Sequence, residues 1–215
     1  MLPPASEAAL LARCHELAGL TFLQLSARVN LSIPPSPIHR KGFLGMAMER
    51  ALGADGGSLA LPDFQALGIE LKTLPLNKQL KPAESTFVTT IPLLTIHQES
   101  WETSICYSKL KRVLWVPIEG DTDIPYTDRR IGQPFIWSPE GEVLKTLKAD
   151  WQELTNMIVQ GQLESITATL GQYLQIRPKA QNGQSLCEAY GPEGEKIKTL
   201  PRGFYLRAGF TSTLL

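Results

Sequence analysis

The chain has little of what marks membrane, secreted or disulfide-bonded proteins. Of its 215 residues only three are cysteine, and these form no CxxC pair, which argues against a zinc site or a disulfide framework. No apolar run approaches the ~18 residues that a membrane span needs. The N-terminus lacks the basic n-region of a signal peptide. These absences predict a cytoplasmic protein with free thiols.

Net charge is also lacking, since 21 basic residues balance 21 acidic ones. A protein that coats nucleic acid without sequence preference is usually basic, so this role is disfavoured. The charge is uneven, however. Acidic residues concentrate between positions 121 and 164, whereas 109–112, 177–179 and the segment after 196 are basic. A neutral total can therefore conceal a basic face.

Several familiar motifs are missing as well. The glycine-rich segment "GADGG" at 53–57, which we interpret as a flexible turn, lacks the GK[ST] ending of a phosphate-binding P-loop. His15, His39 and His97 have no metal-binding spacing among them. There is no internal repeat and no low-complexity linker.

The order of elements indicates a mixed α/β protein. Helical spacing and end signals predict helices over 6–18, 22–28, 43–53 and 142–160. Prolines make 33–42 a loop. Strands are expected near 85–93, 112–118 and in the stretches "YLQIRP" and "GFYLRAGF". Because helices and strands do not alternate regularly, we expect a mixed sheet flanked by helices and not a doubly wound fold.

One apolar stretch, "LPDFQALGIELKTLP" at 61–75, carries unexpected charges. Side chains alternate across a strand, so Glu70 and Lys72 share one face and Ile69 and Leu71 the other. A turn at Gly68 folds the segment of Asp63 back beside Glu70.

Two carboxylates this close repel each other unless a cation lies between them, and Asp and Glu oxygens suit Mg²⁺. A neighbouring lysine can orient water and balance charge on a phosphate. This pattern predicts metal-assisted phosphodiester hydrolysis. Spacing alone favours an alternative, in which Glu70 and Lys72 form a surface ion pair on an edge strand and Asp63 is a turn residue.

The motif and several longer segments of the sequence resemble known nucleases. Pro62-Asp63 followed by Glu70-Leu71-Lys72 is similar to the PD-(D/E)xK motif of restriction-endonuclease-like nucleases. The segments "KGFLGMAMERALGA", "DFQALGIELKTLP", "KLKRVLWVPIEG", "DWQELTNMIVQGQLESITA", "GQYLQIRPKA" and "TLPRGFYLRAGFTS" resemble the MutH family of mismatch-repair endonucleases. They occur in the order of that family and cover most of the chain.

The resemblance implies a restriction-endonuclease-like fold, with two lobes around a DNA cleft. It implies a single nuclease domain over 1–215, with a catalytic lobe at roughly 20–105. A second lobe would comprise roughly 106–215 plus the N-terminal helix. The expected activity is Mg²⁺-dependent nicking of the unmethylated strand at hemimethylated GATC sites, on the 5′ side of the G. One or two ions are expected, with Mn²⁺ as a substitute. The expected partners are double-stranded DNA and MutL, with MutS upstream, and the protein is expected to be a monomer.

The resemblance also assigns residues. Asp63 and Glu70 are the expected metal ligands and Lys72 positions water. The family's further catalytic residues match Glu49 and Lys109, the latter at the scissile phosphate. The expected DNA-binding residues are Lys41, Arg177, Pro178, Lys179 and Tyr205, of which Tyr205 matches the sensor of adenine methylation.

Two other hypotheses stay open at the level of sequence. One is a PD-(D/E)xK restriction enzyme that cuts both strands independently of repair; such enzymes are usually dimeric or duplicated, and the chain has no duplication. The other is a DNA-docking module without chemistry, which is disfavoured because Glu49, Asp63, Glu70 and Lys72 are all present.

Overall fold

A computed structural model describes residues 1–57, 60–179 and 185–215. The helices are α1 (Glu7–Leu17), α2 (Phe22–Arg28), α3 (Pro37–Arg40), α4 (Phe43–Leu52), α5 (Ile105–Leu110), α6 (Gly141–Val159) and α7 (Ala208–Thr211). The strands are β1 (Glu70–Leu76), β2 (Thr86–Thr90), β3 (Val113–Glu119), β4 (Phe135–Trp137), β5 (Leu174–Pro178), β6 (Cys187–Tyr190), β7 (Lys196–Thr199) and β8 (Arg202–Leu206). The mixed α/β class is confirmed.

The chain divides into two compact units. The first comprises Met1–Ala83 and Lys111–Ser138, and the second comprises Glu84–Leu110 and Pro139–Leu215. Helix α1 thus belongs with the strand of the PD-(D/E)xK motif. The lobe boundaries expected from the resemblance stay a prediction.

The first unit is built on the sheet β1-β3-β4. Strands β1 and β3 are parallel, with Glu70 opposite Val113, and β4 pairs antiparallel with β3. One face of this sheet, including Leu71 and Leu114, packs into an apolar core with helices α1, α2 and α4. Glu70 and Lys72 alternate with those core residues, so their side chains belong to the opposite face, as the period-two pattern predicted.

The second unit contains the antiparallel sheet β2-β8-β5 and the ribbon β6-β7. Helix α6 packs against β5 and buries the spaced apolar residues, among them Leu147, Trp151, Leu154 and Ile158, that predicted it. Its aspartate Asp150 is also buried and accepts backbone hydrogen bonds from the chain that enters β5.

Local end signals explain most helix boundaries. Ser6 caps α1 by accepting from the amide of Ala9, and Thr21 forms a capping box on α2. Helix α4 ends at Gly53, which adopts the left-handed conformation. The prediction of a continuous loop at 33–42 is wrong in part, because a proline at the first position, where no amide donor is needed, lets Pro37–Arg40 form a helical turn.

Among the described residues, no helix is both long and apolar enough to cross a membrane.

Candidate active site

The PD-(D/E)xK segment is folded as a hairpin within the first unit. Phe64 and Ile69 form an antiparallel bridge around a helical turn at Gln65–Leu67, and Gly68 closes the turn with a positive φ of 64°. A left-handed residue is required there, and glycine adopts that conformation without a Cβ clash. The chain before the turn therefore returns alongside the start of β1, as the sequence predicted.

The hairpin contains three of the five predicted catalytic residues, namely Asp63, Glu70 and Lys72. Asp63 Oδ2 accepts a hydrogen bond of 2.8 Å from the amide of Leu71. Lys72 Nζ donates to Glu70 Oε1 at 3.1 Å. Asp63, Glu70 and Lys72 are each less than a tenth exposed. Ionised groups are rarely buried to this extent without partners, so the first unit holds a desolvated constellation of two carboxylates and one ammonium.

The "GADGG" turn is fastened to this hairpin, although the sequence suggested only flexibility. The amides of Asp55 and Gly56 both donate to the carbonyl of Asp63, each at 2.9 Å. The Asp55 carboxylate accepts from the amide of Gln65 at 2.9 Å, and the Gln65 side chain donates back to the Asp55 carbonyl. These bonds hold the backbone on both sides of the Asp63 side chain.

Close approach explains why glycine stands at position 56. A Cβ added to Gly56 would lie 2.5 Å from the carbonyl oxygen of Pro62 and 2.8 Å from the Cα of Asp63. Both neighbours are backbone atoms that cannot rotate away. Asp55 and Gly56 thus support the segment of Asp63, a role that sequence reasoning missed and that only the long-range contact reveals.

Glu49 lies in the C-terminal half of α4, the helix that packs on β1. Its side chain is half-buried and is engaged in an interaction within the protein. Lys41 is exposed at the end of α3, directly before α4. The catalytic role of Glu49 and the DNA-binding role of Lys41 both stay predictions.

The donor set suits a hard divalent cation. Asp63 and Glu70 offer carboxylate oxygens, which are the ligands that such cations prefer. Within the described ranges, no group of three or more His, Cys, Asp or Glu residues is gathered closely enough to form a complete metal cage. A two-carboxylate site leaves positions for water and phosphate oxygens, as in other phosphate-processing enzymes.

Lys109 lies in the second unit, in the last turn of α5, and it is only 9% exposed. The sequence suggested a basic cluster of the kind usually found in solvated loops. In the structure Lys109 instead lies in a helix and is buried. Its side chain interacts with another group of the protein. A buried lysine is uncommon in a protein interior, which makes Lys109 a candidate functional residue.

Three of the predicted DNA-binding residues meet on the sheet of the second unit. Arg177 on β5 lies with its Cζ 5.8 Å from the ring centroid of Tyr205 on β8. Phe87 on β2 packs edge-on against Tyr205, with centroids 5.3 Å apart, and Lys179 Nζ lies 3.1 Å from the centre of the Phe87 ring. We call Phe87, Arg177, Lys179 and Tyr205 the aromatic–basic cluster. Phe87 was not predicted as a site residue, because only the pairing of β2 with β8 brings it there.

The cluster is partly exposed and ordered by its neighbours. Arg177 donates to the hydroxyl of Ser85 at 2.7 Å, and Arg177 and Lys179 are exposed. Burial raises the pKa of Tyr205, the nearby Arg177 lowers it and Glu84 raises it, for a net increase. The phenol therefore remains a neutral hydrogen-bonding group at physiological pH. Pro178 ends β5 and is exposed beside Arg177.

Comparison with known proteins decides the family. The model of the DNA mismatch repair enzyme MutH family matches residues 52–150, which include the hairpin. The DNA mismatch repair protein MutH of Citrobacter koseri is 52% identical over 213 residues, covering 99% of this chain and 93% of the relative. Those of Salmonella paratyphi B and Salmonella newport are 50% identical over all 215 residues and are covered to 93%. The chain belongs to the MutH family.

Membership of the MutH family confirms the predicted restriction-endonuclease-like fold and the prediction of an enzyme that acts on DNA in mismatch repair. It supports a nicking endonuclease and does not favour the restriction-enzyme alternative. The MutH family also implies a divalent metal cation, and the carboxylates of Asp63 and Glu70 are oxygen groups of the kind that such a cation prefers.

Proposed function

We propose that this MutH-family enzyme nicks the unmethylated strand of hemimethylated GATC sites, on the 5′ side of the G, with Mg²⁺ as its cofactor. The observation that carries the proposal is the buried constellation of Asp63, Glu70 and Lys72 in one hairpin. In this proposal the enzyme acts as a monomer in the cytoplasm. MutL activates it after MutS has found a mismatch.

Asp63 and Glu70 hold the metal in this proposal, because both present carboxylate oxygens from one hairpin. A bound divalent cation supplies Lewis-acid stabilisation of the negative charge on a phosphate and favours deprotonation of water. One or two ions fit the ligand set, and Mn²⁺ replaces Mg²⁺ because it accepts the same oxygen ligands.

The chain's own residues orient the reactants. Lys72 is fixed by its 3.1 Å bond to Glu70 Oε1 and directs its remaining N–H donors to the attacking water. Lys109 neutralises the scissile phosphate as negative charge grows on its oxygens. Glu49, from the helix that packs on β1, acts as a further carboxylate in proton transfer.

The aromatic–basic cluster selects the DNA site. Arg177 reads guanine by bidentate hydrogen bonds to O6 and N7, the pairing that suits a guanidinium in the major groove. Lys179 and Lys41 contact phosphates, which adds affinity without sequence preference. Pro178 packs against the base edges next to Arg177.

Tyr205 distinguishes adenine from N6-methyladenine in this proposal. Its phenol is half-buried and lies between Phe87 and Arg177, so its position is restricted. A methyl group that displaces one hydrogen bond and meets a fixed wall costs roughly 1–3 kcal/mol. This discrimination restricts nicking to the unmethylated strand.

The deciding experiment uses circular DNA with unmethylated, hemimethylated or fully methylated GATC sites, with Mg²⁺ and with or without MutL. We expect one nick in the unmethylated strand, stimulation by MutL, loss of nicking in EDTA and recovery with Mg²⁺ or Mn²⁺. Nicking of fully methylated circles, or immediate cutting of both strands of the hemimethylated ones, overturns the proposal.

Glu70→Ala tests the site assignment. Loss of a metal ligand is expected to lower the nicking rate by roughly a thousandfold or more, whereas DNA binding without metal is retained. Single-turnover nicking and a binding titration measure the two effects separately. A normal nicking rate in this variant contradicts the assignment.

A further inference from the structure

An open pocket lies in the second unit beside the aromatic–basic cluster. Its volume is about 470 Å³. Residues from three separate parts of the chain line it, including Ser85, Gln172, Gln175, Arg177, Arg207 and Phe210. None of the residues assigned above, other than Arg177, accounts for this pocket.

Gln175 is the unusual group in the pocket. Its residue is only 7% exposed, yet within the described ranges its side-chain amide has no hydrogen-bond partner. Its amide atoms are not among the fully buried unpaired polar atoms of the described residues, so they reach the open pocket. Because Gln175 lines the pocket, its amide is available to a molecule that enters there.

The sheet places Gln175 in line with the DNA-reading residues. Gln175 lies opposite Tyr205 in the pairing of β5 with β8, and Tyr205 lies opposite Phe87 in the pairing of β8 with β2. Directly paired residues point to the same face of a sheet. Phe87, Tyr205 and Gln175 thus form one row across the sheet, with Arg177 two residues along β5.

The charge of the lining favours an anion. Arg177 and Arg207 both contribute, and none of the residues that line the described pocket carries a carboxylate. Arg207 is held rigidly by the carbonyls of Ala168, Leu170 and Gly171, at 2.7 to 2.8 Å. Arg177 is held by Ser85. Two fixed cations surround an amide that can donate two hydrogen bonds.

We propose that this pocket binds a phosphate of the DNA backbone and that the Gln175 amide donates a hydrogen bond to it. This inference rests on the proposed function, because Arg177 and Tyr205 must face the DNA. A phosphate protrudes from the duplex and can enter a concave pocket, whereas a paired base edge remains inside its groove. The contact fixes where β5 and β8 lie along the duplex. Gln175 therefore positions Arg177 and Tyr205 against the bases that they read.

A double-mutant cycle tests the contact. GATC duplexes in which one phosphate at a time is replaced by a neutral methylphosphonate are titrated with the full-length protein and with Gln175→Leu, without divalent metal. We expect Gln175→Leu to weaken binding about tenfold on GATC and non-GATC duplexes alike, as loss of a hydrogen bond to a charged group does. At one phosphate position, the methylphosphonate should weaken DNA binding by the wild-type protein but leave the affinity of Gln175→Leu unchanged.

Two controls distinguish loss of the Gln175 contact from a general effect of the substitution or from poor folding. Gln152→Leu makes the same chemical change at an exposed site on α6 outside this pocket and is expected to bind normally. If Gln175→Leu is poorly folded by circular dichroism, Gln175→Glu replaces it. That carboxylate keeps the shape but repels phosphate, so it should weaken binding more than tenfold.

The outcomes are distinct. Additive effects at every phosphate position overturn the inference, and so does loss of affinity confined to GATC duplexes, which would indicate that Gln175 reads adenine. If wild-type protein neither prefers nor nicks GATC duplexes, the proposed function fails first. If the wild-type protein nicks GATC duplexes but the double-mutant cycle is additive, only the phosphate contact of Gln175 is rejected and the proposed function stands.

Discussion

Two buried aspartates, one in each unit, show how similar burial serves different purposes. Asp63 and Asp150 are 7% and 6% exposed. Asp150 accepts backbone hydrogen bonds from Gln172, Tyr173 and Leu174, at 2.6 to 2.8 Å. Asp63 Oδ2 accepts from the amide of Leu71 and lies in the same hairpin as Glu70 and Lys72.

The difference teaches that burial alone does not identify a catalytic carboxylate. Three backbone donors engage both oxygens of Asp150, so this residue anchors the chain where it enters β5. Asp63 instead shares its hairpin with a second carboxylate, an arrangement that a structural role does not require and a cation would stabilise. In the proposed assignment the first unit thus holds the two metal ligands, whereas Asp150 of the second unit supports the strand of Arg177.

The largest expected effect is that of Asp63→Asn on catalysis. The amide oxygen can still accept from Leu71, so the free energy of unfolding should change by less than about 1 kcal/mol. Loss of the metal-binding charge should lower the nicking rate by roughly a thousandfold or more. Single-turnover nicking and urea denaturation measure the two quantities. A variant with a clearly lower free energy of unfolding and a normal nicking rate would give Asp63 the same structural role as Asp150.

Asp150→Asn should show the reverse pattern. Its NH₂ group would face backbone donors, and we expect a loss of about 3 kcal/mol in the free energy of unfolding. Below the unfolding temperature, the nicking rate on saturating DNA should fall much less than for Asp63→Asn. Thermal denaturation and nicking assays test this, and abolished nicking with unchanged stability would place Asp150 in the chemistry.

Gly56→Ala tests whether the close contact at Gly56 positions Asp63. The new Cβ would contact the backbone of Pro62 and Asp63, so we expect a loss of about 2 kcal/mol and a roughly tenfold lower nicking rate. Gly45→Ala is the matched control. Its Cβ would meet nothing within 4 Å in helix α4, and the change should be neutral or stabilising by about 1 kcal/mol. Equal behaviour of the two variants would contradict the supporting role of Asp55 and Gly56.

The smallest expected effect belongs to Lys179→Ala in the second unit. Removing one phosphate contact should weaken binding of all duplexes by about 1 kcal/mol and reduce the salt dependence by about one unit of slope. The nicking rate on saturating DNA should stay within about twofold of wild type. Fluorescence titrations at several salt concentrations measure the slope. A change restricted to GATC duplexes would assign base reading to Lys179.

The catalytic hairpin could be predicted because its signals are local. Alternation in β1, a turn glycine and the spacing of the charges lie within about a dozen residues, and the structure confirms the turn that they predict. Helices α1, α2, α4 and α6 also follow from nearby caps and periodicity. The family resemblance supplied the roles that spacing alone left open.

Long-range pairing explains what the sequence did not show. The donors to Asp150 come from beyond the end of its helix, and Phe87 reaches Tyr205 only through the pairing of β2 with β8. Helix α5, strand β4 and the ribbon β6-β7 were not predicted, because each is short and is stabilised by neighbours rather than by periodicity. Buried Lys109 and unpaired Gln175 depend on these same distant contacts.

The parallel pairing of β1 with β3 has a consequence for synthesis. Between these strands the chain leaves the first unit to build Glu84–Leu110 of the second, so the ladder that carries Glu70 and Lys72 cannot close until β3 has left the ribosome. Such non-local pairs form late in folding. A nascent chain therefore completes the strand pairing of Glu70 and Lys72 only after most of the first unit has been synthesised.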